Sequence, residues 1–373
     1  MRVGLDLHTV SGISQGSRTY MANLAARLPA AAPDIDFVFY APDPDAPAVR
    51  GLAGDAPNVV CRSMPAGRFG RLVWPFPHRA AREVDVLHCQ YLGPLLGGPV
   101  TVLSIHDILH ERMPEHFPRG LGSLMRRLYP SSARRACRVL TISDFSRQEI
   151  RTRYNVPADR IAFAHLGVDA SFRPPDDAAV IPAMRQRLGL PDAPYILSVG
   201  RIEPRKNLPA LLAAHRLLQQ RLGPRAPGLV VAGGRDKLFA AYHDRLRREA
   251  LGDNAIFLGP VPQELLSALY AGAAVFAYPS FGEGFGLPVA EAMACGAPVV
   301  ASRAPAIPEV TAGAALLIDP ADPAALADAL QQVIGNPELA DTLRRKGLAR
   351  ARELTWDAAV GLAIEAYRAC LEG

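Results

Sequence analysis

Lysine is nearly missing from this chain: among 373 residues only Lys206, Lys237 and Lys346 occur, so the 41 basic side chains facing 36 carboxylates are almost all arginine. No run of 18 or more apolar residues is present, which excludes a membrane-spanning helix. Asp6 stands where a secretory signal would keep an apolar stretch, so neither secretion by that route nor membrane insertion is expected. Cysteine is scarce too. Cys61, Cys89, Cys137, Cys295 and Cys370 are odd in number, far apart and in no Cys-x-x-Cys or Cys/His cluster, so neither a disulfide framework nor a zinc site is expected, and a reducing cytoplasm fits best. With 49% hydrophobic and 21% charged residues, disorder is excluded for most of the chain, and its length needs two domains rather than one core.

The basic excess is one-sided. Residues 1–175 carry 21 arginines and no lysine against 15 carboxylates, while the remainder is nearly neutral. Such a half can face nucleic acid, an anionic membrane surface or an anionic small molecule. No helix-turn-helix, RRM, KH or OB pattern accompanies the arginines, so nucleic acid is not an expected partner.

Short apolar runs alternate with Ala/Leu/Arg segments of helical period. Strands are expected over 2–6, 35–40, 84–88, 100–106, 138–142 and 160–164, then over 195–199, 229–232, 255–258, 273–277, 299–301 and 315–318. Strands apolar on both faces and separated by helices imply parallel sheets built from right-handed βαβ crossovers. The expected class is α/β, with two Rossmann-like, doubly wound domains facing across a cleft. Residues 1–172 form the first domain, 173–177 a proline-containing linker and 178–355 the second. Residues 356–373 form a terminal helix that could pack back on the first domain, capped by Thr355 or Asp357 and striped by Val360, Ala363, Tyr367 and Leu371.

The densest pattern follows the strand at 273–277. Gly282, Gly284 and Gly286 alternate with Phe281, Glu283 and Phe285, leaving a backbone that a ligand can approach closely; Pro288 then opens a helix that Gly296 stops. Unpaired N–H groups at a helix start attract an anion, so this turn reads as a phosphate site. Glu283 in the loop and Glu291, expected in the first helical turn, would not neutralise phosphate. They suit accepting hydrogen bonds from sugar hydroxyls, Glu283 from a transferred sugar and Glu291 from a ribose. Near the strand at 195–199, Gly200-Arg-Ile-Glu-Pro-Arg-Lys-Asn207 lets Arg201 and Lys206 converge on a diphosphate, with Arg205 an extra neighbour of open role.

The run Phe281-Gly-Glu-Gly-Phe-Gly-Leu-Pro-Val-Ala-Glu-Ala-Met-Ala-Cys-Gly296, with seven residues between its two glutamates, resembles the donor signature of the retaining GT-B glycosyltransferases of family 4. The resemblance implies a nucleotide-sugar donor held mainly by the second domain, transfer with retention, and neither cofactor nor essential metal. No Asp-x-Asp pair stands on a strand end, since Asp43-Pro-Asp45 reads as a turn. It also carries the diphosphate role onto Arg201 and Lys206, donor contacts onto Gly284, Phe285, Gly286 and Leu287, and backbone bonds to the base onto Val261. Retention without an evident nucleophile leaves the departing diphosphate to take the acceptor proton; Glu283 is the one nucleophile available, a role not expected of it.

In the first half, Ser11-Gly-Ile-Ser-Gln-Gly-Ser-Arg-Thr-Tyr20 enters a helix and suits backbone approach to the distal phosphate at Gly16 and Ser17, although one residue more than the family pattern separates Arg18 from Tyr20. His106-Asp107, at the end of the strand from residue 100, resembles the family's His-Asp turn, and His106 is expected to steady charge as the glycosidic bond breaks. Asp107, Ser143 and Trp74 are assigned to the acceptor side. Arginines with aromatic residues at 68–79, and nine arginines over 118–153, are either solvated helix faces or surfaces for anionic lipid. The expectation is a cytoplasmic enzyme, peripheral at the inner membrane face if the second reading holds. It would move mannose from GDP-mannose to a glycan or lipid-linked acceptor, with a UDP-sugar enzyme or a non-catalytic glycan-binding protein of the same fold as alternatives.

Overall fold

A computed structural model describes residues 1–10, 16–117, 121–234, 237–250, 252 and 254–372. The chain divides into two units, Met1–Gly167 with Thr355–Gly373, and Val168–Leu354. In the first, β1 (Arg2–Asp6), β2 (Asp36–Ala41), β3 (Val59–Ser63), β4 (Val86–Gln90), β5 (Val100–Ser104), β6 (Arg138–Thr141) and β7 (Ile161–Phe163) form one parallel sheet in the order β3-β2-β1-β4-β5-β6-β7. In the second, β8 (Tyr195–Val199), β9 (Gly228–Ala232), β10 (Ala255–Gly259), β11 (Val275–Tyr278), β12 (Val299–Ser302) and β13 (Leu316–Ile318) run parallel in the order β10-β9-β8-β11-β12-β13.

Successive strand residues point to opposite faces, and both faces are covered. Val38 and Tyr40 of β2 join a core with Phe76, Tyr129, Ile150 and Tyr154, while the intervening Phe37 and Phe39 are equally buried on the other side. In the second unit the helix Leu208–Leu222 and the helix Pro323–Gly335 bury Leu211, Leu218, Leu326 and Leu330 with Ile196, Val231 and Val275. Pro209 and Pro323 fit the starts of these helices, where a missing N–H costs nothing.

Four expectations need correcting. The strand β3 was not foreseen, because its exposed Arg62 and Ser63 end an edge strand that never becomes a continuous apolar run. The division between units falls at Gly167/Val168 rather than at 173–177. Arg173 already belongs with the second unit: its N–H and carbonyl both bond the Ser267 hydroxyl, at 3.2 and 2.7 Å. Leu371 is exposed beyond the terminal helix Trp356–Ala369 rather than on its buried stripe. Finally, Cys137 and Cys370 are joined as a disulfide across 233 residues, because that helix lies within the first unit and returns Cys370 to the start of β6. Trp356 packs so closely on Gly167 that a Cβ there would come within 2.3 Å of the Trp356 nitrogen.

Candidate active site

In both sheets the strand order reverses once, between β1 and β4 and between β8 and β11. Open α/β sheets bind ligands outside the carboxyl ends of the strands at such reversals. In the second unit Gly200 turns the chain at the end of β8 with φ +148°, and Gly233, at the end of β9, packs against it so tightly that a Cβ would lie 1.8 Å from the Gly200 carbonyl oxygen. A single 3-10 turn, Pro204–Lys206, follows. Asn207 then takes a left-handed conformation, φ 55°, that asparagine tolerates, and its amide donates to the carbonyls of Pro279 (3.2 Å) and Pro320 (2.7 Å). Backbone pairing of Phe281 N–H with the Arg205 carbonyl, 2.9 Å, completes the clamp between the two strand-end loops.

That clamp assembles a buried ionic network. Glu283, 5% exposed, receives Lys206 Nζ at 2.9 Å, Arg205 Nη1 at 2.7 Å and the Ser280 hydroxyl at 2.6 Å. Arg205 also bonds the Gly282 carbonyl at 2.5 Å and Glu203 Oε1 at 2.6 Å, while Arg201 holds Glu203 Oε2 at 2.6 Å. Lys206 reaches the Tyr278 hydroxyl as well, at 2.6 Å. Burial by itself would raise the Glu283 carboxyl, but Arg205 and Lys206 outweigh it and bring it down to about 2. The Glu203 carboxyl is lowered by the same contest, burial against Arg205, Lys206 and Arg201. Burial pulls the Lys206 ammonium downward, with Glu283 opposing.

Farther along, the helix Leu287–Ala294 begins after Gly286, whose φ of +95° suits glycine, and where a Cβ would meet Ile307 at 2.5 Å. Phe285 is buried and Leu287 half-buried, so the loop offers backbone rather than the Phe285 ring; Gly284 is buried beside them. Glu291 lies in the second helical turn, not the first, and accepts from the Tyr270 hydroxyl at 2.8 Å. Burial pushes its carboxyl up to about 7, opposed by the Tyr270 bond and assisted by Asp169. Val261 is half-buried just after β10.

In the first unit His106 follows β5 and is 4% exposed, its ring edge-on to Tyr20 at 4.8 Å; burial brings its imidazole down to about 4, so it is neutral near pH 7. Its Nε2 has no hydrogen-bond partner among the described residues. Asp107 Oδ1 accepts from the Leu109 N–H at 3.1 Å. The buried Ser143 hydroxyl caps the helix Asp144–Tyr154 through the Ser146 N–H, 3.1 Å, which gives it a structural task instead of an exposed acceptor contact. Trp74 is 58% exposed against His78. Gly16 opens the helix Gly16–Ala31 with open space around its Cα, and Ser17 lines a pocket of about 280 Å³ at the ends of β1 and β4; residues 11–15 of the same motif lie outside the described residues.

Comparison with known proteins decides the family. A model described as Glycosyltransferase Family 4 matches residues 14–172, and one described as Glycosyl transferases group 1 matches 180–350. The O-antigen chain mannosyltransferase B of Escherichia coli is 37% identical, over 72% of this chain and 70% of its own. The chain belongs to the family 4 glycosyltransferases. A D-inositol 3-phosphate glycosyltransferase of Acidothermus cellulolyticus is 30% identical over 96% of this chain and 87% of its own. Two solved structures share the fold across 98% of each chain: a sucrose-phosphate synthase from Thermosynechococcus elongatus (TM-score 0.75, 22% identity) and Anabaena HepE in complex with UDP and glucose (TM-score 0.74, 21% identity). The two parallel-sheet units are thus those of a GT-B glycosyltransferase.

Of the residues singled out in this glycosyltransferase's sequence, the structure gathers Arg201, Lys206 and Glu283 into one network and leaves Glu291 paired separately with Tyr270. It adds Glu203, Arg205, Tyr278 and Ser280, which sequence reasoning did not assign. The usable signal was the alternation Glu203-Pro-Arg205-Lys206: an acid among cations, with a proline that starts a tight turn, is a pattern that can close on itself.

Proposed function

We propose that the protein is a retaining, metal-independent mannosyltransferase that takes GDP-mannose as donor and a hydroxyl of a glycan or lipid-linked glycan as acceptor. The observation that carries this reading is the cation–carboxylate network at the ends of β8 and β11, beside a glycine-rich turn that opens a helix. Fixed arginine and lysine charges stabilise a departing diphosphate in the way a bound metal would. Arg201 and Lys206 are assigned to that diphosphate. Glu283, kept ionised, is assigned to the hydroxyls of the transferred sugar, and Glu291 to a ribose. Val261, Gly284, Phe285, Gly286 and Leu287 contribute backbone contacts to the donor, Gly16 and Ser17 face its distal phosphate, and neutral His106 steadies the sugar as its bond breaks. The 37% identity to an O-antigen mannosyltransferase supports mannose.

Calorimetric titration with GDP-mannose, UDP-glucose and UDP-galactose tests the donor. GDP-mannose should bind most tightly, and Lys206→Ala should weaken it; a preference for a UDP-sugar moves the assignment to that donor class, and no binding of any nucleotide sugar removes it. Retention is read from the one-bond C1–H1 coupling of the product's new mannosyl residue, and metal independence from rates with and without EDTA.

An anionic membrane surface is the further partner of this reading. Phe69, Trp74 and Leu96 are exposed, and Arg62, Arg68, Arg79 and Arg82 accompany them with no carboxylate between positions 62 and 82. Among the described residues, no helix is long and apolar enough to cross a membrane. Vesicles containing phosphatidylglycerol should sediment more protein than phosphatidylcholine vesicles; equal recovery contradicts the assignment.

A further inference from the structure

A chain of buried polar side chains runs through the first unit to the ring of His106. His88 of β4, Ser104 at the end of β5 and Tyr367 of the terminal helix are fully buried, and Tyr20 of the helix Gly16–Ala31 is 3% exposed. Both ring nitrogens of His88 are engaged: Nδ1 lies 2.6 Å from the Tyr367 hydroxyl, and Nε2 lies 2.7 Å from Ser104 Oγ. The Ser104 hydroxyl donates onward to the Tyr20 hydroxyl oxygen at 3.0 Å. Burial, assisted by His106 and opposed by Asp6, brings the His88 imidazole down to about 3, so at neutral pH the ring offers one N–H and one lone pair. Ser104 has a single proton and gives it to Tyr20, so toward His88 it accepts, and Nε2 carries the imidazole proton. Nδ1 keeps the lone pair and accepts the Tyr367 O–H. Every bond then points the same way, from the terminal helix to Tyr20, and in a low-dielectric interior such bonds polarise and strengthen one another.

Tyr20 passes this constraint to His106. Their rings meet edge-on with centroids 4.8 Å apart, and Tyr91 packs on the same imidazole at 5.5 Å. His106 Nε2 has no hydrogen-bond partner among the described residues, so packing on these two aromatic rings, rather than a bond at that nitrogen, sets its direction. At the other end, Tyr367 is held by its helix, whose last turn the Cys137–Cys370 disulfide fastens to the start of β6. We infer that His88 and Tyr367 are positioning residues: through Ser104 and Tyr20 they fix the direction in which the His106 imidazole presents Nε2. No proton or group is transferred along the chain; it holds one ring in one orientation. Every member belongs to the first unit. Its effect on sugar transfer rests on the role proposed above for His106, whereas the orientation of the ring does not.

Three measurements on the full chain test this. At neutral pH, ¹⁵N NMR of the histidine rings should show His88 as a single tautomer, protonated at Nε2 and bare at Nδ1; a proton on Nδ1, or a ring exchanging between tautomers, overturns the chain. Tyr367→Phe removes one hydroxyl and keeps the ring, while Ser104→Ala cuts the chain at its middle. Each should shift the ring signals of His106; unchanged His106 signals in both variants overturn the positioning role without reference to activity. With GDP-mannose as donor and GDP release as the readout, Tyr367→Phe should lower kcat by ~10-fold and leave the GDP-mannose Kd within about twofold. In a His106→Ala background the same change should lower the residual rate by less than about twofold, because the hydroxyl acts through the imidazole. An equal loss in both backgrounds is the mark of a merely structural role and overturns the proposal. If His106→Ala releases GDP as fast as wild type, the role of His106 has failed, and the part of His88 and Tyr367 in transfer falls with it. If GDP-mannose does not bind, the donor reading has failed, and the histidine spectra alone uphold or overturn the positioning of His106.

Discussion

Replacing Arg205 by Met probes the ionic network most directly. Among the described residues, Arg205 is the one side chain that bonds both Glu203 and Glu283, so its loss leaves two nearly buried carboxylates with a partner fewer each. Bringing the Glu283 carboxyl from 4.5 to about 2 corresponds to roughly 3 kcal/mol of preference for its charged form in the folded state. Breaking a buried pair by removing one partner typically costs about 3–5 kcal/mol, and the two figures agree in size. The sign follows from linkage: the stabilisation is full above the unfolded carboxyl value and is lost as pH falls through about 2. In the variant, with burial intact and Lys206 alone opposing it, Glu283 takes up its proton at higher pH, which relieves the unpaired charge. The gap between the proteins should therefore narrow on acidification. Both tryptophans, Trp74 and Trp356, belong to the first unit, so tryptophan fluorescence would miss the effect. Hydrogen exchange of the β8 and β11 amides reads it instead. A loss under ~1 kcal/mol at neutral pH, or a gap of equal size at about pH 4, would refute the assignment of Glu283 to this network.

Other expectations follow from single contacts. Gly233→Ala drives a methyl into the Gly200 carbonyl and should cost ~1–3 kcal/mol or more in β8–β9 exchange protection, whereas Gly16→Ala, with open space around it, should be near neutral. Reducing the Cys137–Cys370 bond, or Cys370→Ser, should destabilise the first unit by about 2–5 kcal/mol by releasing a closure of 233 residues; a Trp356 unfolding transition insensitive to reductant contradicts it. Glu291→Gln removes a carboxyl raised to about 7. Its folded form disfavours ionisation, so the variant should gain stability relative to wild type as pH rises from 4.5 through about 7 and hold that gain above; a gain confined to acid pH would be the wrong sign.

What the sequence revealed is what buried runs and glycine spacing can reveal. Strands such as Arg2–Asp6 and Tyr195–Val199 are apolar where they are covered on both faces, and their limits read directly. The edge strand Val59–Ser63 has no such constraint and was missed. The prolines at 174 and 175 looked like a linker because turn residues mark breaks in rhythm, but the break between units depends on which surface the backbone pairs with, and Arg173 pairs with Ser267. The closure of Cys137 on Cys370 depends on where the terminal helix docks, which spacing along a chain cannot encode.

Site residues were legible as chemistry and opaque as partners. Arg201, Lys206 and Glu283 were chosen as though each would meet the donor directly, yet each already has an internal partner. Among the described residues, three cations are divided between two carboxylates at the ends of β8 and β11. Arg205 sits between both acids and uses its planar fork on Glu203, Glu283 and the Gly282 carbonyl, a geometry that a lysine could not reproduce. Arg201 is the most exposed of the three cations, at 36%, and Lys206 has the compact, rotatable head that can shift its bonds. Structural work thus falls on Arg205, the residue left without a role from sequence.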